Sequence, residues 1–181
     1  MEFLRQEIED VILITPSVYE DPRGYFFESF KKSLFEKEIG RKITFLQENA
    51  SVSKKNVLRG LHFQKAQFAQ SKLIKVSEGK ILDVAVDIRP NSKTFGQHIS
   101  IVLDSVSNSQ LFIPRGFAHG FVALSDIARV EYKIDCIYSP ENESGIIFDD
   151  PDLNIDWTVP GKDLIISNKD KELPTFKLSN I

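Results

Sequence analysis

Short apolar runs recur along most of the chain after Gly40. Between Ile81 and Ile88, apolar residues alternate with Asp83 and Asp87, a period of two that is typical of a β-strand. The other runs of this kind are Ile99–Leu103, Gln110–Ile113, Phe121–Leu124 and Arg129–Ile137. Groups of Gly, Pro, Asn and Ser separate them and indicate turns. Many short strands at this spacing predict an all-β sandwich or barrel, a group that includes the jelly roll.

One helix is predicted from Glu28 to Ile39, because its apolar residues fall near helical spacing and Gly40 follows where a left-handed cap is needed. Ahead of it, Val11–Thr15 has the pattern of a strand that could pair with the sheet edge of another subunit. No repeat or linker divides the 181 residues, so we expect one domain, 1–181. Its core barrel should cover about 41–140, with the terminal extensions packed on it.

The composition excludes several kinds of partner. Net charge is −3, and Lys and Arg are spread along the chain, so no basic stripe could neutralise a nucleic-acid backbone. Met1–Asp10 is charged where a signal peptide needs an apolar run, and no segment approaches the roughly 20 apolar residues of a membrane span. Cys136 is the only cysteine, which suits a reducing compartment. We therefore expect a cytoplasmic protein that binds neither nucleic acid nor membrane.

An arginine and a histidine interrupt the strand-like run Val57–Gln64. Under strict alternation Arg59 and His62 would lie on opposite faces, and burying either one without a partner is costly. Gly60 between them could mark a β-bulge, which would turn both side chains toward one cavity. A core histidine bonded to the backbone explains the same residues, so the pattern leaves both interpretations open.

Three further polar residues lie within apolar segments. His119 belongs to the Pro- and Gly-containing segment Ile113–Phe121, a pattern that slightly favours a tight turn with an incidental histidine. Tyr132 shares the inward face of its strand with apolar neighbours, and a buried tyrosine needs a partner for its hydroxyl. Lys72 likewise shares a face with Ile74 and Val76, although a lysine that reaches the surface is the commoner explanation.

The residues predict no metal site. The His-x-His pair of the usual double-stranded β-helix metal site is missing, because Phe63 and Gln64 follow His62. Three scattered histidines and one cysteine are too few for a first-row metal. No phosphate-binding glycine loop or nucleophile elbow occurs either. Pattern alone thus predicts a β-barrel with polar residues on apolar strands and leaves its reaction undefined.

A series of short motifs runs in order over nearly the whole chain. The motifs are Asp21–Glu28, Gln47–Asn49, Leu58–Gln64, Gln70–Leu73, Asp83–Arg89, Thr94–Gln97, Ile113–Phe121, Tyr132–Lys133, Tyr138–Pro140, Asp149–Pro151, Ile155–Trp157 and Ser167–Asp170. This ordered series resembles the dTDP-4-dehydrorhamnose 3,5-epimerase family. The resemblance implies a jelly-roll (cupin-like double-stranded β-helix) barrel with one or two peripheral helices. It also implies a homodimer that needs no cofactor or metal and inverts C3 and C5 of a nucleotide-diphosphate 4-keto-6-deoxy sugar.

The resemblance assigns roles in removing and returning a proton beside a ketone. His62 matches the base, and Asp170 matches the aspartate that holds its imidazole. Tyr132 matches the acid on the opposite sugar face, and Lys72 the cation that stabilises the enolate oxygen. Implied substrate contacts are Arg23, Arg59, His119 and Lys169 for diphosphate and nucleotide, Glu28, Gln47 and Asn49 for base and sugar, Phe26 and Tyr138 for stacking on the base, and Glu143.

Two departures from the family pattern bear on the substrate. Lys65–Phe68 replaces a proline pair that commonly follows the base, and Cys136–Ile137 lies where an aromatic residue is frequent. They leave open the nucleobase (thymine or guanine) and the sugar (hexose or heptose). Alternatives are inversion at C3 or C5 alone, a 3,4-ketoisomerase on this scaffold, and a sugar-nucleotide-binding barrel without catalysis. The presence of both His62 and Tyr132 favours full 3,5-epimerisation. The resemblance also implies a role in deoxysugar biosynthesis for surface polysaccharide.

Overall fold

The computed structural model describes residues 1–179 and 181. Its strands are β1 Glu2–Arg5, β2 Ile12–Thr15, β3 Val18–Asp21, β4 Gly24–Phe27, β5 Gln47–Lys54, β6 Val57–Gln64, β7 Lys72–Glu78, β8 Lys80–Asp87, β9 His98–Asp104, β10 Gln110–Ile113, β11 Phe117–Ala123, β12 Ile127–Ile134, β13 Glu143–Gly145 and β14 Ile165–Ile166. The helices are α1 Lys32–Ile39 and α2 Asn168–Lys171, and short 3-10 turns span Ala66–Phe68, Pro140–Asn142 and Gly161–Asp163.

Two sheets pack face to face. The first has the order β1-β2-β10-β7-β12-β5, and the second has the order β13-β6-β11-β8-β9 with β14 added beside β6. Apolar side chains of both sheets form one interior cluster that includes Ile74, Val130 and Phe117. Strands β3 and β4 form a separate two-stranded hairpin. The predicted all-β jelly-roll barrel with peripheral helices is confirmed.

The second sheet is covered on both faces. Apolar residues of β8 alternate between the interior cluster and an outer cluster beneath the C-terminal segment. Asp83 and Asp87 follow the interior phase of this alternation, and both are fully buried. Buried carboxylates need partners, which are His119 for Asp83 and Arg89 for Asp87. The polar face of the predicted strand therefore points into the barrel.

Helix α1 begins at Lys32, so the predicted start at Glu28 was wrong. The residues before the helix are attached to the first sheet, because Gln110 Nε2 donates a hydrogen bond to the carbonyl of Ser29 at 2.6 Å. That contact holds the chain away from helical geometry. The predicted end is confirmed: Gly40 adopts φ of 73°, and its N–H caps the last turn.

Strand β2 has a neighbour on each edge, β1 on one side and β10 on the other. The prediction that Val11–Thr15 could pair with another subunit was wrong, because its backbone hydrogen-bonding groups are used within the chain. The sheets also contain β1, β2, β13 and β14, which lie outside the core range of 41–140 expected from the sequence. Ile12 and Ile14 pack beneath α1 with Phe35, so the N-terminal segment is part of the barrel.

The C-terminal segment covers the second sheet. Leu153 and Trp157 join the outer cluster, and the Trp157 indole donates to the carbonyl of Phe148 at 2.8 Å. Strand β14 then pairs in parallel with the first residues of β6. The segment therefore brings α2 into contact with β6, although the two are far apart in sequence.

Candidate active site

A β-bulge in β6 turns two polar side chains toward the same space. The ladder with β11 shifts between Arg59 and His62, so two residues of β6 face a single residue of β11. Gly60 lies in this shift with φ of 117°, and a Cβ there would lie 2.6 Å from Gly120 Cα. Glycine is therefore required at this position. The predicted bulge is confirmed, and Arg59 and His62 line one cavity.

His62 is held by a buried carboxylate. Its Nε2–H donates to Asp170 Oδ1 at 2.8 Å, and Asp170 Oδ2 accepts from the backbone N–H of Gly60 at 3.2 Å. Burial is the largest influence on Asp170 and pushes its pKa upward, but the interactions with His62, the Gly60 N–H and Ser167 together outweigh it, and the pKa lies below its usual value. Asp170 is thus a carboxylate at neutral pH. This bond leaves Nδ1 of His62 as the ring nitrogen able to take up a proton.

A second histidine–aspartate pair lies next to the first. His119 Nε2 donates to the carboxylate of Asp83 at 2.9 Å. Burial, helped by nearby Lys72 and His62, lowers the pKa of His119 more than Asp83 raises it, so the ring is neutral at pH 7. The interpretation of His119 as an incidental residue of a tight turn was wrong, since it lies within β11 and lines the cavity. Asp83 was missed because its partner is on another strand.

Lys72 and Tyr132 complete the polar wall of the cavity. Burial lowers the pKa of Lys72 to about 8, against the opposing charges of Asp83 and Glu143, so the amine is largely cationic at pH 7. It does not reach the surface as a typical exposed lysine does. Burial also raises the pKa of Tyr132, which therefore keeps its proton. Its predicted inward orientation is confirmed, because it packs against the interior cluster.

The cavity holds about 500 Å³, a volume typical of small-molecule sites. His62, Lys72 and Tyr132 line it together. Its remaining lining residues are Ser51, Val57, Leu58, Arg59, His119, Phe121, Ile165, Ile166, Ser167 and Asp170. No local pattern marks the isoleucines of β14 as site residues, because β14 reaches the cavity only after the C-terminal segment has crossed the second sheet.

A smaller adjoining cavity contains other predicted contacts. It holds about 90 Å³ and shares His62, Lys72 and Tyr132 with the larger one. Gln47 lies on β5 and donates to Asn49 Oδ1 at 2.8 Å. The predicted contacts that line the smaller cavity are Asn49, Tyr138 and Glu143. Lys169 approaches from α2, and its ammonium group donates to Glu143 at 2.5 Å.

Three predicted substrate contacts lie elsewhere. Arg23 and Phe26 belong to the β3–β4 hairpin and Glu28 follows it. The Arg23 side chain is 90% exposed and pairs with Asp21, while Phe26 is 70% exposed. None of the three lines the cavity of its own chain.

Within 1–179 and 181, no group of three or more His, Cys, Asp or Glu is placed to hold a metal ion. In the same part of the chain, no helix has the length and apolar character needed to cross a membrane. A jelly-roll cavity with an aspartate-held imidazole, a protonated phenol and an ammonium group defines an acid–base enzyme. Such a set can move protons on a small polar substrate.

The model of the dTDP-4-dehydrorhamnose 3,5-epimerase family matches residues 5–178. An Escherichia coli K12 protein of that name is 49% identical over 176 residues, which cover 97% of this chain and 95% of the relative. The crystal structure of dTDP-4-dehydrorhamnose 3,5-epimerase from Elizabethkingia anophelis has a TM-score of 0.95 at 46% identity, covering 98% of this chain and 97% of that one.

A dTDP-6-deoxy-D-glucose-3,5-epimerase from Legionella pneumophila, solved in complex with dTDP-4-keto-L-rhamnose, has a TM-score of 0.93 at 42% identity and covers 98% and 93% of the two chains. The chain therefore belongs to the dTDP-4-dehydrorhamnose 3,5-epimerase family, as its motifs predicted. It is an isomerase of nucleotide sugars in deoxysugar biosynthesis.

Proposed function

We propose that the chain converts dTDP-4-dehydro-6-deoxyglucose to dTDP-4-dehydrorhamnose by inverting C3 and C5, without a cofactor. The observation that carries the proposal is one cavity lined by the Asp170-held His62, Tyr132 and Lys72. Inversion requires a base, an acid and a group that stabilises an enolate, all around one carbon. The dTDP-4-keto-L-rhamnose in the Legionella relative supports a thymidine-linked substrate.

In the proposed reaction, the C–H bond beside the C4 ketone breaks and its proton moves to Nδ1 of His62. The electron pair of that bond forms the enolate, and negative charge collects on O4, where the ammonium group of Lys72 stabilises it. The Asp170 carboxylate stabilises the imidazolium. Tyr132 then protonates the carbon from the opposite face. Solvent carries the proton from imidazolium to phenolate, which prepares the site for the second carbon.

Substrate binding is proposed to use the polar groups around this centre. The Arg59 guanidinium donates to Ser53 Oγ at 3.0 Å, so it is oriented before a diphosphate arrives. His119 and Lys169 would contact the diphosphate beside it. The remaining proposed contacts are Gln47, Asn49 and Glu143 with sugar and base, and Tyr138 stacked on the base.

We also propose a homodimer, because Arg23, Phe26 and Glu28 can reach substrate only if another copy presents its hairpin to the cavity. That hairpin carries Tyr19 and Tyr25 at 65% and 61% exposure, besides Phe26. Exposed aromatic groups of this size mark an interaction surface. Light scattering should show a dimer, and a monomer at assay concentration would refute the proposal. A cytoplasmic location stays a prediction from the single cysteine.

The test is deuterium incorporation from D2O into dTDP-4-dehydro-6-deoxyglucose, followed by NMR. The wild-type protein should label both C3 and C5. His62→Asn should abolish labelling at both carbons, whereas His98→Asn, a histidine outside the cavity, should label at the wild-type rate. Unchanged labelling by His62→Asn would remove His62 from the base role.

The same assay separates the alternatives. Label at one carbon only would show a single-centre epimerase, and a 3-keto product would show a ketoisomerase. Binding without exchange would show a non-catalytic barrel. Parallel reactions with GDP-linked 4-keto-6-deoxy hexose and heptose should be much slower, and preference for either one would overturn the proposed substrate.

A further inference from the structure

Tyr138 lies on a segment that belongs to neither sheet. Residues 135–139 connect β12 to the 3-10 turn at Pro140–Asn142 in bend and coil geometry. Ile137 is 63% exposed and Tyr138 is 44% exposed, so packing alone holds this segment weakly. Side-chain hydrogen bonds to its backbone must therefore set the position of the Tyr138 ring.

Three glutamine side chains supply such hydrogen bonds. Gln47 Oε1 accepts from the backbone N–H of Tyr138 at 3.2 Å. Gln64 Oε1 accepts from the backbone N–H of the following residue at 2.6 Å. Gln70 Nε2 donates to the carbonyl of Cys136 at 2.8 Å. Side-chain amides from β5, from β6 and from the residues before β7 thus hydrogen-bond to the backbone of this segment.

Gln64 is the most constrained of the three. It is 7% exposed, and both ends of its amide are used. Besides accepting from Ser139 N, it donates from Nε2 to the carbonyl of Phe68 at 2.9 Å. An amide offers both a donor and an acceptor, whereas a carboxylate or a thioether does not. Gln64 therefore joins the turn at Lys65–Phe68 to the segment that carries Tyr138.

The hydroxyl of the Tyr138 side chain is also held close to Gln64. Its hydroxyl donates to Glu143 Oε2 at 2.6 Å, and Lys169 donates to that same oxygen. Glu143 is the direct partner of Gln64 in the β13–β6 ladder. Gln64 thus holds the backbone N–H of the residue after Tyr138, and its ladder partner Glu143 accepts from the Tyr138 hydroxyl. Both contacts lie at one position on β6, two residues after His62.

We propose that Gln64 is a positioning residue, which holds the Tyr138 ring in the orientation that stacks on the nucleobase of the substrate. The inference rests on the proposed function, in which Tyr138 contacts that base. Loss of the amide would leave the Ser139 N–H and the Phe68 carbonyl without their partner. The segment would then sample other positions, and the defect would show in nucleotide binding.

The experiment measures the dissociation constant of dTDP by calorimetry for the wild type, Gln64→Met, Tyr138→Ala and the double variant. Gln64→Met keeps side-chain length and removes both hydrogen bonds. We expect about tenfold weaker binding, the scale of losing one base–aromatic stack. In the Tyr138→Ala background, Gln64→Met should cause no further loss, because it acts through that ring. Additive losses, or unchanged affinity in Gln64→Met, would overturn the inference.

Two further variants serve as controls for this experiment. Ser109→Ala removes a buried hydroxyl that lines neither cavity and should bind dTDP as the wild type does. If Gln64→Met fails to fold, Gln70→Met loosens the same segment by one hydrogen bond and should weaken binding less, again only when Tyr138 is present. Wild-type protein with neither exchange nor dTDP binding would refute the proposed function and this inference with it. Wild-type deuterium exchange together with a Gln64→Met effect that does not depend on Tyr138 would refute this inference alone.

Discussion

Replacing Asp170 by asparagine removes one negative charge from beneath the proposed base while keeping the size of the side chain. The carboxylate lies 2.8 Å from His62 Nε2 and is 4% exposed. It also accepts from the N–H of Gly60. Asparagine can keep one of these bonds, but it cannot balance the positive charge that forms on His62 when a proton arrives. The substitution should therefore act on the reaction more than on the fold.

The size of the effect follows from the charge separation. Two unit charges about 4 Å apart attract by about 4 kcal/mol at an effective dielectric constant of about 20. Because the asparagine dipole recovers part of this, we expect a loss of about 3 kcal/mol in stabilising the imidazolium. A loss of about 3 kcal/mol slows proton abstraction about 10²-fold, since 1.36 kcal/mol corresponds to a factor of ten.

The assay is the rate of deuterium incorporation at C3 and C5 under saturating substrate, with the melting temperature measured alongside. Deuterium incorporation at C3 and at C5 should slow by the same factor, because one base serves both carbons. Asp152→Asn is the matched control: Asp152 pairs with Lys177 on the surface, where such a pair contributes little. A folded Asp170→Asn protein with more than a fifth of the wild-type rate would refute the role given to this carboxylate.

Three other predictions test the remaining parts of the site. Tyr132→Phe should retain deuterium exchange at the substrate carbons but form inverted product about 10²-fold more slowly, since general-acid catalysis contributes about 10²–10⁴-fold. An equal loss in the exchange rate and in the rate of product formation would contradict a role limited to proton return. Because the pKa of Lys72 is about 8, its charge is present below that pH and lost above it, so kcat should fall as pH rises through about 8. Lys72→Arg should remove this fall in kcat. A pH profile of Lys72→Arg equal to that of the wild type would exclude Lys72 as the titrating group. Gly60→Ala should lower the free energy of unfolding by about 3 kcal/mol or more, because its Cβ would meet the Gly120 backbone. Gly161→Ala, which has open space around its Cβ, should melt near the wild-type temperature, and equal stability of the two variants would show that the bulge tolerates a side chain.

Local patterns predicted the elements better than they predicted the contacts between them. The inward orientation of Tyr132 and the cap at Gly40 were correct, because each depends on neighbouring residues in the chain. The start of α1 was wrong, since Ser29 is bonded to Gln110, 81 residues away. His119 was interpreted as part of a turn because nothing near it in sequence indicates Asp83, its partner across the sheet.

The proposed catalytic pair shows the same division. The pattern around Gly60 allowed a bulge and a cavity next to His62, but it fitted a core histidine equally well. It contained no sign of Asp170, which lies 108 residues further on and was predicted only through the family motifs. Fold class, strand phase and the family were therefore determined by sequence. The meeting of His62, Asp170 and Lys72 was decided by the tertiary structure, because burial and hydrogen bonding between distant strands and α2 arise only when the barrel closes and the C-terminal segment packs over it.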